Sequence, residues 1–397
     1  MHVREKRQRD CLCFTGKVMA KKGKKKKIRT EFRKNREVRV RNSDLTKNYQ
    51  GQPDEVSDLA HSERISGKGS ISRKRTIVGH ESVDDETGLT VLPDVDEASC
   101  LRGTVLISGG LKSPVQAENG KIYQCAVRRL LKTVSTDQRH VIAAGDQVLF
   151  RPSDDHGGII ERVEPRHGIL CRTSRGRQHV MVANVDQLLI ISSAAEPHLK
   201  PNLIDRLLVT AEKFEIKPVI CINKIDLVDP AELQPLVGVY GQMGYQVILL
   251  SVKERHGTRF IQKLVKGKKS VVIGQSGVGK SSLLNVIDEG LDLKVKSVSS
   301  DNEKGRHTTT AARLVPLTCG GYIVDTPGIR QFQLWDVIPE EVAGFFRDIR
   351  TFVSGCRFPN CTHVHETDCA VKDAVADGFI NLRRYDSYCK IRDGDFV

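Results

Sequence analysis

The sequence has few aromatic residues and no long apolar segment. Of its 397 residues, 5% are Phe, Trp or Tyr, and a single residue is Trp. No run approaches the ~18 apolar residues that a membrane-spanning helix needs. The first residues also lack the apolar core of a signal peptide. We therefore expect neither a membrane span nor export, and we predict a cytoplasmic protein.

Acidic residues are outnumbered. The chain has 49 Asp and Glu against 63 Lys and Arg, which gives a formal net charge of +14. Such an excess favours a polyanionic partner, either nucleic acid or an anionic membrane surface. A disulfide framework is not indicated, because the 11 cysteines are odd in number and some, such as Cys171 and Cys221, are isolated in apolar segments. This pattern is typical of reduced cytosolic thiols.

Residues 1–99 contain little that indicates a core. Met19 opens a dense basic tract, and the start of translation is either Met1 or Met19, with Met19 the expected one. Like charges repel, so the tract is expected to be disordered. It is interpreted as a basic arm on RNA phosphates, with a solvated tail as the alternative. The Ser-, Asp-, Glu- and Gly-rich residues 43–99 predict a disordered linker.

The rest of the chain divides into three parts. In residues 100–167, short apolar runs alternate with turn residues, which predicts a small OB-type β-barrel. Such barrels commonly bind nucleic acid. Residues 168–336 alternate strand and helix patterns and predict an α/β domain with a parallel sheet. Residues 337–397 follow as a C-terminal module.

The most informative stretch runs from Ser270 to Asn285. An apolar run that suits a buried strand leads into a glycine-rich turn and then a helix. Its Gly-X4-Gly-Lys-Ser spacing is that of a phosphate-binding loop, in which backbone N–H groups surround the phosphates, Lys280 reaches the β- and γ-phosphates, and Ser281 ligates Mg²⁺. The residues predicted to line it are Gly274, Gln275, Ser276, Gly277, Val278, Gly279, Lys280, Ser281 and Ser282.

A second motif indicates which base is bound. Asn223–Asp226 directly follows the apolar run 218–222. A carboxylate there accepts hydrogen bonds from the N1–H and the 2-amino group of guanine, and adenine lacks that amino group. A Ser-Val-Lys segment after a later apolar run looks like the accompanying base-contacting loop. The residues predicted to serve the base are Asn223, Lys224, Ile225, Asp226, Ser251 and Val252.

Two further segments are expected to sense the γ-phosphate. In the segment GRHTTT, either Thr308 or Thr309 completes the Mg²⁺ shell. In DTPG, Asp325 holds a metal-bound water, and the Gly328 N–H contacts the γ-phosphate.

The residue that orients the attacking water is not the usual one. Many GTPases carry a glutamine directly after the glycine of DTPG, but here that position is Ile329. A hydrophobic side chain cannot orient water. His307 is the nearest candidate, and an ordinary surface histidine is the alternative.

The order of the motifs differs from that of most GTPases, in which the phosphate loop comes first. Here Asn223–Asp226 precedes Gly274–Ser281, which precedes Asp325–Gly328. This order predicts a circularly permuted domain, which a parallel sheet tolerates when the original termini are close. The chain after Gly328 therefore leads directly into the next module.

A metal site is predicted in that module. Cys356, Cys361 and Cys369 fall within fourteen residues, with His363 and His365 competing as a fourth ligand. Three thiolates and one imidazole complete a tetrahedral Zn²⁺ shell, and a closed shell is structural rather than catalytic. The following residues 370–393 predict two short helices.

These motifs together resemble the RsgA/YjeQ family of circularly permuted GTPases of small ribosomal subunit biogenesis. The resemblance covers residues 101–393 and rests on VANVDQLLII, NKIDL, GQSGVGKSSLLN, GRHTTT, DTPGIRQF and CxxxxCxHxxxxxC. It implies His363 as the fourth ligand beside Cys356, Cys361 and Cys369, and His307 as a catalytic group. It also implies GTP and GDP with Mg²⁺, one structural Zn²⁺, rRNA as partner, and GTP hydrolysis stimulated by the small subunit.

Two other functions are weighed against this one. A metabolic P-loop kinase would share the phosphate loop, but Asn223–Asp226 argues against it. A non-catalytic RNA-binding scaffold would bind GTP only structurally and would not turn it over. Nothing suggests a constitutive dimer, so we expect a monomer.

Overall fold

The computed structural model describes residues 26–31, 74–84, 88–93, 95–109, 111–128, 131, 141–153, 155–174, 177–291, 312–325 and 337–394. The strands are β1 Lys26–Glu31, β2 Lys74–Asp84, β3 Gly88–Pro93, β4 Leu101–Val105, β5 Lys112–Ala117, β6 Ile122–Val127, β7 Gln147–Pro152, β8 Gly157–Val163, β9 Leu170–Ser174, β10 Arg177–Val182, β11 Gln187–Ser193, β12 Lys217–Asn223, β13 Gln246–Leu249, β14 Lys269–Gly274, β15 Arg313–Pro316 and β16 Tyr322–Asp325. The helices are α1 Pro201–Lys213, α2 Gln234–Gln242, α3 Thr258–Val265, α4 Lys280–Ile287, α5 Val342–Phe345, α6 Arg347–Val353, α7 Ala370–Ala376 and α8 Leu382–Arg392. Among the residues so described, none of the helices has the length and apolarity to cross a membrane.

The N-terminal region contains strands that the sequence did not lead us to expect. β1 pairs with β2, and β2 pairs with β3, both antiparallel. The prediction that residues 1–99 are arm and disordered linker was therefore wrong for these three strands. The β-branched run Thr76–Val78 and the segment Leu89–Val91 favour extended backbone, and the polar composition around them concealed the signal.

The barrel is confirmed as a closed barrel of five strands. Its order is β4-β5-β6-β8-β7, with β7 returning to β4. β6 and β8 run parallel, and the other neighbours run antiparallel. The interior is filled by alternate residues of these strands, including Val105, Val115, Cys125, Phe150 and Ile160.

The barrel is followed by a hairpin and then by the large sheet. β9 and β10 form an antiparallel pair of their own, so the large sheet begins only at β11. The sheet has six strands in the order β13-β12-β11-β14-β16-β15. All neighbours are parallel except the edge strand β15, which is antiparallel to β16.

Both faces of this sheet are buried, which explains the uninterrupted apolar runs of its central strands. Leu188 and Ile190 of β11 point to one face, where α1 and α2 pack. Leu189 and Ile191 point to the other face, where α3 and α4 pack. The carboxyl ends of β11, β12, β14 and β16 therefore meet at one edge of the sheet.

The C-terminal module is a small helical unit with its own core. Phe346, Ile349, Val371 and Tyr388 lie at its centre, and Val209 of α1 enters the same cluster. The two short helices expected in residues 370–393 are α7 and α8. The module therefore packs on α1, which covers one face of the sheet, and not at the edge where the carboxyl ends of the strands meet.

Candidate nucleotide site and metal centre

The phosphate loop joins β14 to α4, as expected from its sequence. Gly277 and Gly279 have φ values of +82° and +93°, a region that glycine adopts without a steric penalty. At Gly274, a Cβ atom would lie 2.1 Å from the carbonyl oxygen of Ile191. Glycine is therefore required where the loop leaves the sheet beside β11.

The Lys280 side chain folds back over this loop. Its Nζ donates to the carbonyl oxygens of Gly274 at 2.8 Å and Gln275 at 2.5 Å. The ammonium therefore lies at the first turn of α4, where the helix dipole and the loop N–H groups also favour an anion. A phosphate in the loop would meet a positive charge that is already in position.

Asn223 connects three elements at this edge. Its side chain is buried; Nδ2 donates to the carbonyl oxygen of Val278 at 2.8 Å, and Oδ1 accepts from the Val252 N–H at 3.1 Å. A Cβ at Gly279 would lie 2.4 Å from Nδ2, so the fit is close. Asn223 thus holds the phosphate loop and the loop after β13 in fixed positions relative to β12.

Asp226 and Ser251 form a pair beside it. The Ser251 hydroxyl donates to Asp226 Oδ1 at 2.6 Å and accepts from the Glu254 N–H at 3.2 Å. Ser251 is fully buried, whereas Asp226 is half-buried. The hydroxyl fixes the orientation of a carboxylate that remains within reach of solvent, as a base-reading group requires.

Lys224 lies between these groups in the left-handed region, with φ +64° and ψ +37°. Its Nζ donates to the carbonyl oxygen of Glu196, in the loop between β11 and α1. This contact could not be predicted from the sequence, because Glu196 belongs to no recognisable motif. The Lys224–Glu196 hydrogen bond holds the loop after β11 at the same edge of the sheet as the loops after β12 and β13.

The predicted magnesium and γ-phosphate residues are only partly described. Asp325 is the last residue of β16, which neighbours β14 through the Val271–Val324 pair. The Asp325 backbone therefore lies at the same edge of the sheet as the phosphate loop. His307, Thr308, Thr309 and Gly328 lie outside the described residues.

The four predicted metal ligands come together in the C-terminal module. The Sγ atoms and ring nitrogen of Cys356, Cys361, His363 and Cys369 lie within 4.8 Å of one another. His363 Nδ1 is 3.4 Å from Cys356 Sγ and 3.5 Å from Cys369 Sγ. His365 is exposed and is not in the cluster, so the structure favours His363 as the fourth ligand.

The electrostatics of this cluster fit a bound cation. Desolvation and the neighbouring Cys369 and Cys356 raise the pKa of the Cys361 thiol to about 12. Three thiols in such proximity cannot ionise together unless a positive ion balances them. A set of three sulfurs and one imidazole is a donor set that Zn²⁺ prefers, so the residues fit that metal.

An outer layer of hydrogen bonds supports the ligand loop, and sequence reasoning missed it. Tyr385 and Tyr388 of α8 donate to the carbonyl oxygens of His363 and Thr362 at 2.7 Å and 2.8 Å. The Glu366 carboxylate accepts from the Thr362 N–H and hydroxyl, contacts that hold the pKa of Glu366 well below its ordinary value. The only sequence signal was the i, i+3 spacing of the two tyrosines, which places them on one helix face.

Three features define the class of this protein. A phosphate loop follows β14, a guanine-type Asn-Lys-X-Asp motif follows β12, which is the next strand but one in the sheet, and a metal-binding module follows the last strand. The protein is a P-loop GTPase whose domain is circularly permuted. The sequence model of the family described as RsgA GTPase matches residues 163–335. The chain belongs to the RsgA GTPase family, because relatives of that name are 35% and 37% identical to it over more than two thirds of its length.

The "Small ribosomal subunit biogenesis GTPase RsgA" of Sodalis glossinidius is 37% identical over 314 residues, which cover 78% of this chain and 90% of that protein. The protein of the same name from Shewanella oneidensis is 35% identical and covers 82% of this chain and 92% of the relative. The crystal structure of YjeQ from Thermotoga maritima matches with 34% identity and a TM-score of 0.62, covering 75% of this chain and 98% of that one. YloQ, titled a circularly permuted GTPase, matches with 30% identity and a TM-score of 0.60, covering 76% and 97% of the two chains.

Proposed function

We propose that this chain hydrolyses GTP during late maturation of the small ribosomal subunit. It binds the subunit with GTP and leaves after hydrolysis. The observation that carries this proposal is the Asp226–Ser251 pair, which Asn223 connects to the phosphate loop. One sheet edge is thus equipped for both guanine and phosphate. The small subunit is the partner that the printed names of the relatives give.

The nucleotide phosphates occupy the loop from Gly274 to Ser282 in this proposal. Lys280 exchanges its two carbonyl contacts for oxygens of the β- and γ-phosphates. The Mg²⁺ shell and the γ-phosphate contact are assigned to Ser281, Asp325, either Thr308 or Thr309, and Gly328. Loss of the γ-phosphate releases the segments that carry these groups, which lowers affinity for the subunit.

His307 is proposed to orient the attacking water. Ile329 occupies the position of the usual glutamine and offers no hydrogen-bonding atom. An imidazole supplies both a donor and an acceptor near neutral pH.

The Cys/His cluster is proposed to hold one structural Zn²⁺ per chain. Supporting this are its four-ligand composition and the tyrosine contacts that fix the ligand loop. The ion joins segments around Cys356 and Cys369 and thereby shapes the module.

Three parts of the chain are proposed to contact rRNA: the basic arm within residues 1–99, the barrel in 100–167 and the module in 337–397. The formal charge of +14 supports a polyanionic partner. The GTPase domain in 168–336 lies between them, and the protein acts as a cytoplasmic monomer.

The first test is GTP hydrolysis with and without small subunits, for the wild type and His307→Ala. We expect strong stimulation by the subunit, lost in the variant while GTP affinity is retained. Stimulation that is unchanged in the variant would move catalysis to another group. A wild type that binds the subunit with GTP yet shows no turnover would favour the scaffold function.

The second test separates a GTPase from a kinase-like nucleotide site. Asp226→Asn replaces one of the two carboxylate oxygens that accept guanine hydrogens with an amide donor, and it should weaken GTP binding about 100-fold, since a hydrogen bond to a charged group contributes about 1.5–3 kcal/mol. Xanthosine triphosphate should bind the variant better, because its 2-oxo group accepts from the new amide. Asp229→Asn is the control, since Asp229 is exposed and caps a neighbouring turn. Equal ATP and GTP affinity in the wild type would contradict the proposal.

A further inference from the structure

The first barrel strand continues beyond the barrel and joins the GTPase sheet. After β4 ends at Val105, Leu106 and Ile107 run beside β15. The Leu314 N–H donates to the Leu106 carbonyl oxygen at 2.8 Å, and Ile107 forms an antiparallel bridge with Arg313. β15 is the edge strand of the six-stranded sheet, so the barrel supplies a pairing partner for an otherwise open edge.

The register places this contact at the nucleotide edge. Arg313 is paired with Asp325 in the β15–β16 ladder and with Ile107 on its other side. One row across three adjacent backbone segments therefore contains Ile107, Arg313 and Asp325. Neighbouring strands are about 4.8 Å apart, which puts the Ile107 backbone about 10 Å from that of Asp325. The barrel therefore reaches within two strands of a proposed magnesium-shell residue.

Side chains hold the same contact at both ends of the β15–β16 hairpin. Leu106 is buried in the GTPase core with Leu314 and Val324, not in the barrel core. At the other end, the Tyr322 hydroxyl of β16 donates to Gln116 Oε1 of β5 at 2.9 Å. A rotation of the barrel would break these contacts unless the hairpin moved with it.

We infer that this contact positions the Asp325 hairpin for GTP hydrolysis and transmits subunit binding from the barrel to the nucleotide site. The inference rests on the proposed function, in which the subunit binds the barrel and stimulates turnover. Leu106 and Gln116 are positioning residues, because they act through β15 and β16. The contact, named here the β15 interface, consists of Leu106, Ile107 and Gln116 of the barrel with Arg313, Leu314 and Tyr322 of the GTPase domain.

The physical basis is the precision that the reaction requires. A metal-shell group has to stand within about 0.5 Å of its productive position. A short hairpin at a sheet edge keeps that position only if its outer strand is held. A subunit that prefers one barrel orientation then selects one hairpin position, since a ligand shifts an equilibrium by its differential affinity for the two states.

The test removes the Tyr322 hydroxyl with little change of shape. For full-length Tyr322→Phe, we expect the ratio of subunit-stimulated to basal turnover to fall about three- to tenfold, the range of one net hydrogen bond. Subunit affinity and GTP affinity should remain within twofold, and any fall in basal turnover should be smaller than the fall in stimulated turnover. Gln116→Leu should reproduce the loss, and Gln124→Leu, at an exposed barrel position on β6, should not.

A cross-link provides a rescue. Ile107→Cys and Arg313→Cys place two thiols on directly paired antiparallel residues, a separation that a disulfide can span. Introduced together into Tyr322→Phe, they should restore stimulation on oxidation and lose it again on reduction. Oxidised protein with Ile107→Cys alone is the control.

Two results would overturn the inference. In the first, Tyr322→Phe is stimulated as strongly as the wild type. In the second, stimulation falls only in proportion to subunit affinity. The β15 interface would then affect how tightly the subunit binds and would not transmit that binding to the nucleotide site. A wild type that no subunit stimulates would instead overturn the proposed function and remove any signal to transmit. Comparing variant with wild type thus separates the two failures.

Discussion

Two units attach to the GTPase domain of this protein by different chemistry. Besides the Gln116 side chain, the barrel contributes backbone carbonyl oxygens: that of Leu106 accepts from the Leu314 N–H, and that of Gly145 accepts from Lys269 Nζ at 2.9 Å and Asn184 Nδ2 at 3.0 Å. The C-terminal module attaches through buried charge. Arg384 of α8 donates to Asp205 of α1 at 2.7 Å and to both oxygens of Asp348 at 3.0 Å.

The difference follows from what each unit contacts. The barrel meets strands, whose edges present unpaired N–H and C=O groups, and it meets the strands that lead to the phosphate loop and to Asp325. The module meets a helix, whose backbone is already satisfied, so only side chains are available. Burial alone would lower the pKa of the Arg384 guanidinium, but Asp205 and Asp348 outweigh it and hold that pKa above its ordinary value. The barrel thus contacts the strands that end at the nucleotide edge, whereas the module is held to α1, on one face of the sheet.

The largest expected effect is removal of the Zn²⁺ that we propose for the module. Structural Zn²⁺ contributes about 10–16 kcal/mol in zinc-finger peptides. Chelation should therefore unfold the module while the barrel and GTPase sheet stay folded. Amide hydrogen exchange would show loss of protection confined to residues 337–394. Cys361→Ser should lower the zinc content, whereas Cys389→Ser, outside the cluster, should keep one ion per chain.

Breaking the buried charge network should have the next largest effect. Arg384→Met removes the nearest cation of Asp205 and Asp348, with only Arg383 left at 3.6 Å from Asp205, and should lower the free energy of unfolding by about 3–5 kcal/mol. Urea unfolding followed by far-UV circular dichroism measures this change. Arg392→Met on the same helix removes a partly exposed partner of Asp393 and should cost less than about 1 kcal/mol. If the two variants were equally stable, the contrast between the attachments would be lost.

On the barrel side, the main cost should come from packing. Leu106→Ala deletes a side chain that is 7% exposed, and such truncations cost about 2–5 kcal/mol. Leu111→Ala, at a side chain that is 88% exposed, should change stability by less than about 0.5 kcal/mol. Thermal unfolding of both variants checks the prediction. An equally small shift for both would mean that Leu106 does not hold the barrel to the sheet.

The smallest effect concerns Lys269, at the second contact between barrel and sheet. Burial lowers the pKa of this lysine from 10.5 to about 8, although Asp186 and Asp146 oppose the shift. Above pH 8 the native side chain is neutral while the unfolded one still binds a proton, so the contribution of this group to stability rises with pH in that interval. The rise is about 1 kcal/mol between pH 8 and pH 9.

Lys269→Met should remove that rise. The measurement is the free energy of unfolding of both proteins at pH 7, 8 and 9, with the difference between them isolating Lys269 from other titrating groups. A difference that stays constant with pH would show that the lysine is not perturbed by the barrel contact.

Much of the architecture was predictable because its signals are local. The strand, glycine turn and helix of residues 270–285 are adjacent in the sequence, and the motif order alone indicated the permuted connection. The clustering of Cys356, Cys361 and Cys369 indicated a metal site, although choosing His363 over His365 required the family resemblance or the structure. The roles of His307, Thr308 or Thr309, and Gly328 stay predictions.

Other features left no local trace. The strands β1–β3 lie in a polar region whose composition outweighed a few β-branched residues. Asn223 looked like part of a base-reading motif, and only the fold shows that its two side-chain ends hold two separate loops. Nothing in the sequence near Leu106 distinguishes a barrel residue from one that packs in the GTPase core.

The sequence by itself determined the chemistry of this protein, because phosphate loops, guanine motifs and metal ligands need particular residue types at short, fixed spacings. The tertiary structure decided how the parts are coupled. Leu106 meets Leu314, Gln116 meets Tyr322, and Asp205 meets Arg384 across long stretches of chain. Such pairs depend on strand order, register and helix packing, and these are fixed only when the whole core forms.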